Sequence, residues 1–176
     1  LGFILYDIYL KAGEKGEIIS IEDRDELVKK AQDMAQRLKY DRMKFINSKI
    51  ENAKLPERVH LLTALHACDT ATDDTLIAGI DKNADYIAVV PCCQAEVAQL
   101  LKEIKKESAN RAELSELWSH GIHRREFGSH LTNVIRSLVL ESFGYQVTVT
   151  ELVGWEHSLK NEFIFARKVH RENKQA

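Results

Sequence analysis

Proline is nearly absent, with two among 176 residues, and no stretch is rich in Gly and Ser, so nothing reads as a linker between domains. Cysteine is scarce. Three residues, two of them adjacent, cannot build a secreted disulfide framework and fit reduced thiols in a cytoplasmic protein. No run of about 18 apolar residues exists to span a membrane, and no secretory leader is visible. Neither charge sign dominates. The 25 Lys and Arg against 27 Asp and Glu leave a net charge of -2, which argues against gripping nucleic acid by bulk charge and leaves room for a local basic patch. What is plentiful is apolar residues at 44% and charged residues at 30%, the balance of a globular chain. A chain of this length buries roughly 70% of its unfolded surface as one domain and needs no covalent staple. Residues 1–176 are therefore expected to form a single domain.

The apolar pattern alternates between two periods. Residues 1–11 place Phe3, Ile4, Leu5 and Ile8 on one stripe and read as a helix. A β-branched run at 17–22 reads as a strand, 23–38 as a helix, and 44–50 as a short strand. The nearly continuous apolar run at 59–68 is expected as a strand buried on both faces in the middle of a sheet. Helix 73–82, capped by Thr72, strand 86–90, helix 95–106 and helix 131–143, stopped by Gly144, follow. Residues 118–127 read as polar and irregular. Alternation at 146–152 and 162–169 predicts a closing hairpin. This order predicts an α/β fold: a mostly parallel sheet, helices on both faces, and a C-terminal antiparallel hairpin. Ligands of such sheets gather at the carboxyl ends of the strands.

Four groups of residues fall there. Glu22 and Asp23 end the first strand, where an acid either accepts hydrogen bonds from ribose hydroxyls or complements the dipole of the helix that follows. His66, Ala67, Cys68 and Asp69 end the most apolar strand, and Asp69 lies at the lip, placed to polarise a substrate or accept its proton. Pro91, Cys92, Cys93 and Gln94 end the next strand. Adjacent cysteines rarely ligate one tetrahedral ion, so the thiols are read as packing or pocket lining and no metal is expected. Arg124 and Arg125, in a stretch from His120 to Arg136 rich in His and Arg, either contact phosphate or belong to a solvated helix start. The connection 153–161, with Trp155, Glu156, His157, Lys160 and Asn161, is too long and polar for a plain hairpin turn and reads as a binding loop.

These residues make the chain resemble a class I S-adenosylmethionine-dependent methyltransferase of Rossmann-like fold. More narrowly, it resembles the methyltransferase-domain family shared with the glutathione S-transferase C-terminal-domain-containing protein and a eukaryotic tRNA ribose methyltransferase. LHACDTATD (65–73) and VPCCQ (90–94), in that order on successive strands, carry the likeness, together with EIISIEDRDELV (17–28). The resemblance implies S-adenosylmethionine as cofactor, with Glu22 and Asp23 at its ribose and Lys49 and Ile50 beside its adenine, the Ile50 N–H as a contact. It implies that His66, Ala67, Cys68 and Asp69 line the methionine end and the target. Pro91 to Gln94 would shape the acceptor pocket, and the 155–161 loop would cover it.

Two departures qualify the resemblance. Members begin with a strand and a glycine-rich loop, which this chain lacks; residues 1–11 correspond to the helix after them. The chain is therefore expected to be truncated at its N-terminus, without the first, central strand, and to bind cofactor poorly. In addition, Thr70 follows Asp69 where a Pro-Pro-aromatic clamp would hold a planar amino group, which counts against an exocyclic base nitrogen as acceptor. RNA (through a ribose oxygen or ring nitrogen) and small molecules remain as acceptors. Asp69 is the first candidate to orient or deprotonate the acceptor, with His66 and Lys160 behind it. Other readings of the same sheet are a non-catalytic cofactor-binding or scaffold module and a nucleotide-binding oxidoreductase.

Overall fold

The computed structural model describes residues 1–13, 15–65, 70–91, 96–107, 115–154 and 161–169. They form two compact units, residues 1–55 and 56–176.

The first unit is a strand–helix–strand element with a helix before it. Helix α1 (Gly2–Leu5) runs on through a wider π-turn (Tyr6–Leu10). Strand β1 (Ile18–Glu22) pairs in parallel with β2 (Met43–Asn47), with Ile18 opposite Met43 and Glu22 opposite Asn47. A parallel pair needs a long crossover, supplied by α2 (Asp25–Arg37). Its acids Asp25 and Glu26 in the first turn and Arg37 in the last complement the helix dipole. The buried face of the first helix is not the stripe expected. Tyr6 and Leu10 are buried with Phe3 packed beside them, whereas Ile4 and Ile8 are 59% and 57% exposed. Specific tyrosine contacts select that face. The rings of Tyr6 and Tyr40 stack 4.1 Å apart, the Tyr6 hydroxyl donates to Asp41 at 2.8 Å, and the Tyr40 hydroxyl donates to Asp7 at 2.7 Å. A hydropathy stripe counts tyrosine as half polar and does not see such a fastening.

This fastening should make the first unit acid-sensitive. Hydrogen bonds from Lys11 and then Tyr40 hold the Asp7 carboxyl below the usual carboxylate range, and the Tyr6 bond does the same for Asp41. A carboxyl whose pKa is depressed by folding contributes stability above its unfolded value, near about 4, and loses it as pH falls through the lower folded value. Tyrosine fluorescence of Tyr40→Phe against the native protein should therefore show the variant less stable at neutral pH and the difference shrinking as pH falls below the unfolded carboxylate range, near about 4.

In the second unit β3 (Leu61–Leu65) runs parallel to β4 (Tyr86–Val90), with α3 (Thr70–Asp81) between them in the chain. Helices α4 (Glu96–Glu107) and α5 (Gly121–Ser142) precede the antiparallel hairpin of β5 (Tyr145–Glu151) and β6 (Glu162–Lys168). The sheet order is β3-β4-β6-β5, with β6 antiparallel to β4. The expected hairpin is present. Within this sheet the central, doubly buried position belongs to β4 rather than β3. Ile87 and Val89 are fully buried, whereas Leu61 and Leu65 are 43% and 44% exposed. A continuous apolar run reports the hydrophobicity of a strand but not how many neighbours flank it.

Two helix boundaries also differ from expectation. Helix α3 begins at Thr70, which places Thr72 buried inside it instead of capping it. Helix α5 begins at Gly121, ten residues before its apolar periodicity starts. Its inner face there is made of contacts that hydropathy does not register. Phe127 stacks on Trp118 at 5.4 Å, and Gly128 lies flush against α4. Gly144, at φ 79°, ends the helix as anticipated. A Cβ on Gly128 would come within 2.8 Å of the Ala98 backbone nitrogen and 3.0 Å of its Cβ. Gly128→Val should push α4 off α5 and destabilise the protein by about 3 kcal/mol in urea titration, well beyond any gain in helix propensity.

Candidate functional site

The first unit carries the residues expected at the ribose and adenine of the cofactor. Glu22 is the last residue of β1, and its carbonyl accepts the Ser48 N–H at 3.1 Å, which locks the turn after β2 beside it. Lys49 and Ile50 follow directly, Ile50 opening a 3-10 turn (Ile50–Asn52). As the first residue of that turn, Ile50 has an N–H with no partner inside it. Asn47 ties the same edge to α2 by donating to Asp25 at 3.1 Å. Glu22, Asp23, Lys49 and Ile50 thus share the carboxyl edge of the β1–β2 pair.

Arg24 engages the Glu22 carboxylate from its side chain (Nε to Oε1 at 2.8 Å, Nη2 to Oε2 at 3.3 Å) and from its backbone N–H at 3.2 Å. The guanidinium, first among these, holds Glu22 below the usual carboxylate range, so the side chain is an ionised pure acceptor. The Arg24 side chain is largely exposed, and an exposed pair of this kind contributes about 0–1 kcal/mol. A pair this weak is no barrier to another donor taking the carboxylate. An ionised acid beside a turn amide with no acceptor among the described residues is a donor–acceptor set that suits a nucleoside, so the residues present fit a nucleoside-bearing cofactor.

The second unit shapes a separate edge. Leu65 and Val90 are partners in the β3–β4 register, so the chain leaves both strands at the same side. The start of β6 joins them there because Val89 pairs with Ile164. Pro91 and Asn161 lie at this edge. Asn161 is buried, donates its amide to the Val153 carbonyl, and accepts the Leu152 N–H at 2.8 Å, closing the base of the hairpin loop. His66, Ala67, Cys68, Asp69, Cys92, Cys93, Gln94, Trp155, Glu156, His157 and Lys160 lie outside the described residues. Arg124 and Arg125 sit in the first turns of α5, where Arg125 pairs with Glu126 at 2.8 Å on the surface. Arg136 does not belong with them as a phosphate contact. It is buried, with a bidentate grip on Asp73 (2.7 and 2.8 Å) and a bond to Asn133 Oδ1 at 3.1 Å. Asn133 in turn donates to Glu162 at 2.8 Å. Sequence reading missed this chain of four residues. Its only trace was an arginine placed inside the apolar part of α5. Among the described residues no three His, Cys, Asp or Glu side chains converge as metal ligands, and no helix is long and apolar enough to cross a membrane.

A parallel strand–helix–strand with an acid at its first strand tip, and a sheet closed by an antiparallel hairpin, are features of a Rossmann-like α/β fold. The chain belongs to the Methyltransferase domain family, whose profile matches residues 1–100. It is accordingly a methyltransferase. No curated protein sequence matches it. Solved structures share the fold. A SAM-dependent methyltransferase from Aquifex aeolicus is 21% identical with a TM-score of 0.52, the match covering 96% of this chain and 77% of that one. An rRNA methylase from Streptococcus thermophilus is 9% identical with a TM-score of 0.53, over 93% and 80%. Magnesium protoporphyrin IX methyltransferase from Synechocystis, solved with SAH, is 14% identical with a TM-score of 0.51, over 90% and 66%.

Proposed function

We propose that the chain moves a methyl group from S-adenosylmethionine to an oxygen or ring nitrogen of RNA. The observation that carries the cofactor assignment is Glu22, kept ionised at the tip of β1 beside the Ser48–Ile50 turn, in a chain of the methyltransferase family. The SAM-dependent and SAH-bound proteins that share this fold support the same donor. Bound there, the cofactor supplies an electrophilic methyl on a sulfonium. Glu22 accepts the two ribose hydroxyls, Asp23 adds negative charge at the same tip, and Lys49 and the Ile50 N–H flank the base. Methyl transfer is an in-line displacement, so the remaining work is alignment and exclusion of water. Asp69 takes or orients the acceptor proton, with His66 and Lys160 as further bases. Residues 66–68 and 91–94 frame the acceptor, and the loop carrying Trp155, Glu156 and His157, closed at its base by Asn161, covers it.

RNA is favoured over a small molecule by Arg124 and Arg125. Asn133 of α5 is bonded to Glu162 at the strand-tip edge. Twelve residues, 121–132, precede it in the helix. The two arginines lie in its first two turns, where they offer positive charge to a polynucleotide backbone. The rRNA methylase of the same fold is consistent with such an acceptor, as is the absence of an exocyclic-amine clamp after Asp69. Calorimetry of the intact protein with S-adenosylhomocysteine should show one-to-one binding; none would leave a scaffold. Filter binding to total RNA should weaken about tenfold or more between 50 and 200 mM salt. A salt-independent affinity would return the acceptor to small molecules.

A further inference from the structure

The chain Asp73–Arg136–Asn133–Glu162 joins three elements, α3, α5 and β6, through polar side chains. Asp73 is in the first turn of α3, three residues after that helix begins at Thr70. Glu162 is the first residue of β6. Arg136 and Asn133 are one turn apart on α5, both buried. A guanidinium is costly to bury, and a bidentate pair is retained only where its geometry is well satisfied. Its described partners are both oxygens of Asp73, whose side chain is 45% exposed, and the amide oxygen of Asn133. The amide nitrogen of Asn133 is spent on Glu162. The network therefore has one orientation, because reversing the Asn133 amide would set two donors against each other at Arg136.

We infer that Arg136 is a positioning residue that couples the root of the segment after β3 to the root of the hairpin loop. Residues 66–69 end where α3 starts, and the loop before β6 ends at Asn161. The two segments proposed to bring a base and a cover to the acceptor thus spring from the two ends of one hydrogen-bonded brace. Moving either root moves the other through α5. This rests on the methyltransferase reading above for its catalytic consequence, but the coupling itself is a property of the second unit alone.

Hydrogen exchange on the intact protein tests the coupling. Arg136→Met should speed exchange about tenfold or more in peptides from the start of α3 and from the start of β6 together, with β4 unchanged. Asn133→Leu leaves the Arg136–Asp73 pair standing, yet it should loosen both roots as well. Exchange raised only beside each substituted residue would overturn the brace, as would a rise throughout the unit. If Arg136→Met fails to fold, Arg136→Lys and Asn133→Leu carry the same comparison. The kinetic readout is tritiated methyl incorporation into total RNA. Arg136→Met should lose about 100-fold in turnover, with S-adenosylhomocysteine affinity within about threefold of native and partial rescue in Arg136→Lys. Turnover falling only with the folded fraction would make the brace structural and overturn the positioning role. Native protein that neither binds S-adenosylhomocysteine nor methylates RNA would count against the methyltransferase reading, and the exchange data would still decide the coupling.

Discussion

Glu22→Gln should weaken S-adenosylhomocysteine binding roughly 100-fold by calorimetry. A ribose diol donating two hydrogen bonds to an ionised carboxylate gains about 1.5–3 kcal/mol from each. The amide has one acceptor oxygen, and its NH2 faces a hydroxyl that must then turn. The change is local because Glu22 ends its strand, and its described side-chain partner is the exposed Arg24. Arg24→Ala separates the two roles of the carboxylate. It removes a competitor worth about 1 kcal/mol at most and should tighten binding by no more than about fivefold. If Arg24→Ala weakened binding as much as Glu22→Gln, the ion pair and not the free carboxylate would be what the site needs.

Asp69→Ala should lower methyl transfer by at least about 100-fold, as expected on removing a positioned general base, while S-adenosylhomocysteine affinity stays within about threefold. The expectation rests on the position of Asp69 in the sequence, four residues beyond Leu65, the last residue of β3 and the register partner of Val90. Turnover that survives with intact cofactor binding would take Asp69 out of the chemistry. His66 and Lys160 would then be tested by the same split between turnover and affinity. A methyl acceptor that starts deprotonated needs no base, so a small effect for all three would point to alignment as the whole of catalysis.

The strand–helix alternation was legible because buried strands and amphipathic helices leave different periods in the sequence, and β1, β2, β4 and the hairpin fall where those periods put them. The tip of β1 was legible for the same reason: an acid immediately after a β-branched run marks the carboxyl edge of its strand. Three things were hidden. The start of α5 was hidden because Gly128 and the Trp118–Phe127 stack bury it without an apolar stripe. The inner face of the first helix was hidden because Tyr6 and Tyr40 pack through paired hydroxyl–carboxylate bonds. Arg136 was grouped with Arg124 and Arg125 because sequence gives a charge but not its partner. Asp73, 63 positions away, turns it from a surface cation into a buried brace. Long-range polar pairs of this kind depend on which elements pack together, and that is settled only by the fold.

Photo-crosslinking with labelled S-adenosylmethionine, followed by peptide mapping, bears most directly on the assignment of the cofactor edge. Label should fall on the peptides carrying Glu22 and the 48–52 turn, and unlabelled S-adenosylhomocysteine should compete it away. Label confined to other peptides, or insensitive to that competitor, would contradict the assignment.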